Sequence, residues 1–350
     1  MINKITVKNF QAFKEFSLSG FAPINVVIGG NDSGKTGILK ILYVIIKSVE
    51  EYGLKQKHAP ESFKKVLGNK LISSFNSKKS GIGKMVRKGA SEKLSVDVTY
   101  CDNQNLYFSF SEYAKEQISD VSNDIEYLKD TNALFIPAKE VLSIFKTIEI
   151  ARENLFIPEF DDTYYDLVKV LKIPTVKGKI DSNLGLVNQT LEKVFEGEVQ
   201  QKKEGVDIEF IFKKGKHEFP MSLTAEGVKK IGILTTLIQN RQLHKGSMLF
   251  MDEPDSNLHP DAIRELCEIV YRMSKAGVQI FLSTHNYFMI KQLTIIARRE
   301  KETMKCLSLT KEEDSTISYQ VADLKEGLPD NSIIEEALKM FDQETDLDFE

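Results

Sequence analysis

The stretch Val26–Leu39, VVIGGNDSGKTGIL, passes from an apolar run through two glycines into a Gly-Lys-Thr that opens a helical pattern. Its spacing is G-x-x-x-x-G-K-[ST], on Gly29, Gly34, Lys35 and Thr36. Glycines let successive backbone N–H groups turn inward around phosphate oxygens, and the positive end of the following helix faces the same anion. In such a turn Lys35 reaches β- and γ-phosphates and the Thr36 hydroxyl sits on Mg²⁺. With glycine near 7% of residues, a chance match in a chain this long has odds of about one in a hundred. Ile24, Val26, Val27 and Ile28 read as a buried strand before the turn, and Ile38, Leu39, Ile41, Leu42 and Ile45 as the core side of a helix after it. Strand, loop and helix are the context the spacing requires.

At 350 residues the length fits two domains, or one large α/β domain with insertions. An apolar content of 41% and a charged content of 28% describe a soluble globular chain with ample core. The net charge of −4 excludes a general positive coat and leaves room for a local basic patch. Cys101, Cys267 and Cys306 have no C-x-x-C and no adjacent histidine, so they read as buried thiols in a reducing compartment. The opening MINKITVKNF alternates like a strand rather than a signal peptide, and no run approaches 18 apolar residues. The expectation is a cytoplasmic protein without a membrane segment.

Along the chain, Ile5, Val7 and Phe10, then Phe13, Phe16 and Leu18, read as two short strands, so residues 1–52 form one unit with the phosphate turn. Residues 53–93 change composition: eleven lysines and arginines stand against Glu61 and Glu92, and NSKKSGIGK reads as a mobile loop. KLSVDVTY and NLYFSFS return to strand alternation as a hairpin around Asp102–Asn105, and Ala133–Glu140 is a strand ending at a proline, within a unit of residues 94–140. Residues 141–205 read as mostly helical, broken at Pro158 and Pro174, an inserted lid. From 206 to 325 come a hairpin and then helix, strand, helix, strand, helix, the rhythm of a parallel sheet. Residues 326–350 read as a C-terminal helix and a frayed acidic tail.

The second half supplies what a phosphate turn needs. SMLFMDEPDSNLHP is a buried strand ending in Asp252-Glu253, and carboxylates at the C-terminal end of a parallel strand face the ligand crevice. There Asp252 would hold Mg²⁺ through water and Glu253 would polarise an attacking water. Without the phosphate turn the same two acids would read as an exposed turn. VQIFLSTHN brings Thr284 and His285 to another strand's C-terminal end, where the histidine could sense a γ-phosphate. SLTAEGVKKIGILTTLI places Glu226-Gly227 at a helix start, a second anion site separate from the first. One phosphate loop and one distant anion-binding helix start suggest two chains sharing a nucleotide.

Together ITVKNFQAF…INVVIGGNDSGKTGILKIL, LTAEGVKKI, LFMDEPDSNLHP and FLSTHN resemble the ABC-type ATPases of the RecF/SMC and OLD (overcoming lysogenization defect) branch, over residues 1–50 and 205–325. The resemblance implies an α/β fold, an ABC-ATPase head with mixed sheets around a parallel core, carrying the helical lid. It implies a Walker A at Gly29–Thr36, with Gly29, Asn31, Asp32, Ser33, Gly34, Lys35, Thr36 and Gly37 around ATP. It implies a signature at Thr224–Gly227, with Thr224, Glu226 and Gly227 on nucleotide, and a Walker B at Met248–Glu253. A D-loop falls around Ser256–His259 and a switch histidine at His285. Lys35, Glu253 and His285 would then be catalytic, Thr36 and Asp252 the Mg²⁺ residues, and two ATPs would be sandwiched in a homodimer or higher assembly. Departures are Gln11, where many relatives carry arginine, LTAEG in place of the transporter LSGGQ, and no placed Q-loop glutamine.

The non-transporter signature and the VKNF hairpin disfavour a transporter subunit. An OLD nuclease would need an acid-rich metal domain, and the 65 residues after His285 hold no strand ending in a D-x-D pair; Asp346 and Asp348 have the spacing but no apolar strand before them. A stand-alone ATPase remains. Such short proteins resemble the ATPase components of anti-phage systems such as Septu, which act with a separate effector, a nuclease or toxin. The alternative is a RecF/SMC-like ATPase that binds DNA in repair. The basic segment 53–93 fits a nucleic-acid contact in either case and fits equally a solvated lysine-rich loop.

Overall fold

The computed structural model describes residues 2–55, 61–100, 103–125, 131–155, 160–178, 180–194, 196–204 and 207–349. Strands β1 (Ile2–Phe10) and β2 (Phe13–Ser19) pair antiparallel, and β3 (Ile24–Gly29) runs through the phosphate loop into helix α1 (Lys35–Lys55). Helix α2 (Phe63–Ser74) and a 3₁₀ turn at Ile82–Met85 precede strands β4 (Leu94–Tyr100), β5 (Asn105–Phe110), β6 (Asp120–Asn123) and β7 (Ala133–Ile136). Helices α3 (Phe145–Glu153), α4 (Asp162–Leu171) and α5 (Ser182–Val194) are followed by strands β8 (Glu198–Glu204), β9 (Asp207–Lys214) and β10 (His217–Pro220). Then come α6 (Glu226–Gln239), β11 (Met248–Asp252), α7 (Pro260–Lys275), β12 (Gln279–Thr284), α8 (Tyr287–Glu300), β13 (Met304–Lys311), β14 (Ile317–Asp323) and α9 (Ser332–Phe349).

A six-stranded sheet in the order β14-β13-β3-β12-β11-β7 is parallel except at its β14 edge. Strands β3, β7, β11 and β12 are buried along their whole length and read as mainly apolar runs because both faces are covered. Alternation along each strand divides the side chains between two cores. Ile24, Val26, Ile28, Leu249, Met251, Ile280 and Leu282 point into a core shared with the helices of the middle and C-terminal parts. Val27, Met248, Phe250 and Phe281 point into a second core, closed by α1 and by the antiparallel sheet β2-β1-β4-β5-β6. Helix α1 lies inside this second core and is apolar nearly all round, Ile38 to Ile46 being buried apart from the half-buried Lys40. A third sheet, β10-β9-β8, flanks α6.

The α/β head with a parallel core is the architecture expected; several local readings change. NSKKSGIGK is anchored rather than a free loop: Ile82 N donates to Lys115 O at 2.9 Å, Gly83 N donates to Ala114 O at 2.8 Å, and Ile82 is fully buried. A Cβ at Gly83 would lie 2.0 Å from Glu112 O, so the glycine there serves close backbone packing. Nor is the segment 53–93 a uniformly basic insertion. Helix α2 buries Phe63, Val66, Leu67 and Leu71, while Lys70 turns inward and Lys65 and Lys93 pair with Glu61 and Asp120.

The helical block does not hang clear as a lid. Ile148, Leu167, Leu171, Val187 and Leu191 share the core of the parallel sheet, since short amphipathic helices have no other core to fill. Its last residues, Glu198–Glu204, form a strand; EVQQKKE has one apolar side chain, Val199, and so carries no readable period. The acidic end is helical to Phe349, not frayed. Cys267 and Cys306 are buried free thiols, and burial pushes the Cys306 thiol up to about 12. Cys101, Asp102 and the break expected at Pro158 lie outside the described residues.

Candidate functional site

β3, β12 and β11 lie side by side and in parallel, so their C-terminal ends meet at one edge of the sheet. The register pairs Asp252 with Ser283 and Thr284 with Ile28. This places the Gly29–Thr36 loop beside Asp252-Glu253 and Thr284-His285, at the crevice where open α/β sheets bind ligands.

The loop is shaped for an anion. Gly34 has φ +85°, and a Cβ on it would lie 2.7 Å from the Phe13 ring. Asp32 is also left-handed, at φ 60°, and is held by Lys311 at 2.7 Å. Lys35 Nζ folds back to donate to Gly29 O at 3.0 Å and Gly30 O at 2.8 Å. Burial lowers its pKa, while Glu253, Asp252 and Asp255 pull it back up. Ser33 Oγ is buried with no hydrogen-bond partner. An ammonium parked on its own loop, an orphaned hydroxyl and a glycine cradle together fit a bound polyphosphate.

Thr36 Oγ1 donates to Asp252 Oδ1 at 3.0 Å and Oδ2 at 2.9 Å, joining two residues 216 positions apart. Ser283 Oγ donates to Asp252 Oδ1 at 2.6 Å and accepts from Glu253 N at 3.1 Å. Glu253 is left-handed, φ 46°, a conformation that costs about 1–3 kcal/mol in a non-glycine residue and that clusters at functional sites. Its Oε1 meets His285 Nδ1 at 3.0 Å. Lys35, Thr36, Asp252, Glu253 and His285 therefore converge. A hydroxyl and a carboxylate in direct contact form an all-oxygen set of the kind Mg²⁺ takes.

A cleft of about 400 Å³ lies over the loop, lined by Asn31 to Gly37 and Glu253, and also by Gln11, Lys40, Phe75, Asn76 and Asp161. Gln11, standing where many relatives of the resembled branch have arginine, leans over the helix start: a Cβ on Gly37 would lie 2.3 Å from its Oε1. Lys40 ion-pairs with Asp161 and donates to Ser74 O at 3.4 Å, joining α1 to the end of α2 and the start of α4. Lys40 was findable from the helix period, four residues after Thr36. Ser283 had only its place beside Thr284 as a signal. Phe75, Asn76 and Asp161 reach the cleft by tertiary packing and carried no signal. Thr224, Glu226 and Gly227 do not line the cleft. Their helix α6 is nonetheless tied to it, because Lys230 Nζ donates to Glu253 O at 3.1 Å and Ser256 O at 3.0 Å. His259 of the expected D-loop caps α7, its Nδ1 accepting from Asp261 N at 3.4 Å.

Residues 24–290 match the family model described as "AAA domain, putative AbiEii toxin, Type IV TA system". A protein of Helicobacter pylori named "ATP/GTP phosphatase" is 19% identical, over 86% of this chain and 89% of its own. The "energy-coupling factor transporter ATP-binding protein EcfA" of Methanococcus maripaludis is 26% identical, over 42% of this chain and 45% of its own. Among solved structures, an Smc head bound to the C-winged helix domain of ScpA superposes with a TM-score of 0.55 at 13% identity, over 93% of this chain and 98% of that one. A Pyrococcus furiosus Smc head with an extended coiled coil, bound to the C-terminal domain of ScpA, gives 0.53 at 14% identity over 98% of both chains. The resemblance read from four short motifs thus extends to the fold of nearly the whole chain. No helix among the described residues is long and apolar enough to cross a membrane.

Proposed function

The chain belongs to the AAA-domain family so described and is an ABC-type ATPase of the RecF/SMC and OLD-like branch, and on that premise we propose that it dimerises around ATP and controls a separate effector, a nuclease or toxin, in anti-phage defence. The observation that carries the chemistry is the continuous contact from Thr36 through Asp252, Ser283 and Glu253 to His285. Lys35 exchanges its loop carbonyls for β- and γ-phosphate oxygens. Thr36 and Asp252 would hold Mg²⁺, which when bound neutralises charge building on the phosphates. Glu253 orients and deprotonates the attacking water, its carboxylate held by His285. Asn31, Asp32, Ser33 and Gly37 complete the cradle together with the glycines. Thr224, Glu226 and Gly227 sit off their own cleft, which supports reading them as completing the site of a second head. A toxin–antitoxin description for the family supports a two-component system.

Cells carrying the gene with its neighbours should lower phage plating, and Lys35→Ala should abolish the protection. The purified chain alone should leave DNA and RNA uncut with Mg²⁺ or Mn²⁺. Cleavage that survives Lys35→Ala but is lost on removing the last ten residues would sink the effector-control reading. A RecF/SMC-like role on DNA is the second reading, favoured by Lys78, Lys79, Lys84 and Lys88, which are exposed and carry no ion pair among the described residues. Steeply salt-dependent DNA binding by the lone protein with ATP present would move the assignment there.

A further inference from the structure

Helix α9 carries six acidic residues and only Lys339 as counter-charge, a net of −5 in a chain whose total is −4. The remaining residues therefore sum to +1, and all the protein's net negative charge sits on its last helix. The first turn of α9 docks through Ile334, which is 6% exposed and joins the core of the parallel sheet. Beyond that turn the helix leaves the body. Leu338, Met340, Phe341 and Leu347 are 55%, 66%, 63% and 73% exposed. A single helix of this length is marginal in water, and Leu338 and Phe341 continue the face of Ile334 at helical spacing, with Met340 and Leu347 on the opposite side; an exposed apolar face of this kind marks an interaction surface.

Helix α8 presents the complement. Phe288 and Ile295, 57% and 45% exposed, lie seven residues apart on one face, with Lys291 and Arg298 between and beyond them at helical spacing. Neither Lys291 nor Arg298 makes an ion pair among the described residues, although Arg299 beside them pairs with Glu268 and Glu300. One chain thus holds an open apolar–acidic helix and an open apolar–basic helix face, and its own α9 leaves Phe288 and Ile295 of the latter exposed.

We propose that the partner for this surface is a second copy of the chain, with α9 of each protomer laid along the outer face of α8 of the other. The exchange is reciprocal, so it closes as a twofold dimer and leaves no unpaired copy of either face. It is a helix-in-groove contact, with apolar anchors giving affinity and the rim charges fixing direction. It uses no residue of the nucleotide site and goes beyond the ATP-sandwiched dimer proposed above; because α8 starts two residues after His285, it would hold two heads together at the edge of that site before nucleotide binds.

Sedimentation of the full chain without nucleotide, at micromolar concentration, reads this directly. The expected mass is twice 39.7 kDa, for the parent and for Lys35→Ala alike. Leu338→Asp with Phe341→Asp, and separately Ile295→Asp, should each weaken the dimer at least tenfold with the melting temperature kept. Lys291→Glu with Arg298→Glu should weaken it similarly, and adding Asp342→Lys and Asp346→Lys should restore it. A monomeric parent overturns the proposal. So does a dimer indifferent to Ile295→Asp, which would mean α9 pairs with α9 or with nothing, and so does charge reversal without rescue. Failure of the ATP-shared site would appear only in nucleotide assays and would leave these masses unchanged.

Discussion

Replacing Lys70 with Met tests what fastens the phosphate-loop helix to the segments around it. Lys70 Nζ, its side chain 3% exposed, lies 2.6 Å from Glu51, 2.8 Å from Asp166 and 3.2 Å from Asp162, so α2 clamps α1 to α4. Tyr43 of α1 adds its hydroxyl to Asp166 at 2.8 Å. Burial alone would raise the Asp166 pKa, but Lys70 and Lys169 hold it well below the usual carboxylate range, and the acids hold Lys70 above the usual lysine range. Removing one partner of a buried pair strands the other charge and costs about 3–5 kcal/mol. Partial exposure of Glu51 and Asp162 puts the expectation at the low end. With an unfolding entropy of about 2.1 cal/mol/K per residue over 350 residues, that low end is a fall of roughly 4 °C in melting temperature. The sign with pH follows. In the parent, the lowered Asp166 pKa stabilises the fold above the ordinary carboxylate value, and this is lost as pH falls through the lowered one. In the variant the stranded carboxylates bind protons more readily than in the unfolded chain, so acid helps it. The gap between parent and variant, measured by calorimetry, should narrow from pH 7 towards about pH 4. Lys70→Arg should retain most of the stability. A loss under about 1 kcal/mol, the range of an exposed pair, or a gap that does not change with pH, would refute the reasoning.

Gly34→Ala forces a left-handed alanine whose Cβ meets Phe13 at 2.7 Å, a strain of about 1–3 kcal/mol placed in the loop itself. ATP affinity by calorimetric titration should fall by the corresponding factor, and unchanged affinity would mean that the loop does not hold the phosphates. Gly227→Trp and Lys35→Ala should each inactivate ATP turnover, and mixing the two proteins should rebuild one intact site per dimer and restore part of it. If demonstrable heterodimers stay inactive, the site is complete in one chain or both sites must fire together.

The site was legible where a short apolar strand runs straight into its polar ends. Val26–Ile28, Met248–Met251 and Ile280–Leu282 each mark a strand, and the next residues mark the crevice, so neighbouring parallel strands suffice to bring Lys35, Asp252 and His285 together. The floor of the cleft was not legible, because Phe75 and Asp161 arrive from the ends of α2 and α4 through packing that leaves no local period. Lys70 misled for a related reason: as a letter it adds to a basic segment, and only the fold reveals three acids from two other helices around it. β8 stayed hidden because Val199 alone of its residues reads as apolar. The C-terminal helix was legible, but residues 341–350 read as a frayed tail because acids dominate them, although Phe341 continues the helical spacing of Ile334 and Leu338.

In the proposed binding and hydrolysis of ATP at the ends of β3, β11 and β12, Lys35 and Glu253 have separable roles. Phosphate release and equilibrium ATP binding, measured side by side on parent, Glu253→Gln and Lys35→Ala, separate them. The parent should show slow Mg²⁺-dependent hydrolysis, and Glu253→Gln should keep or tighten ATP binding with turnover down about 10²–10⁴-fold. Lys35→Ala should lose both binding and turnover. Hydrolysis by Glu253→Gln within a few-fold of the parent would contradict the role proposed for Glu253.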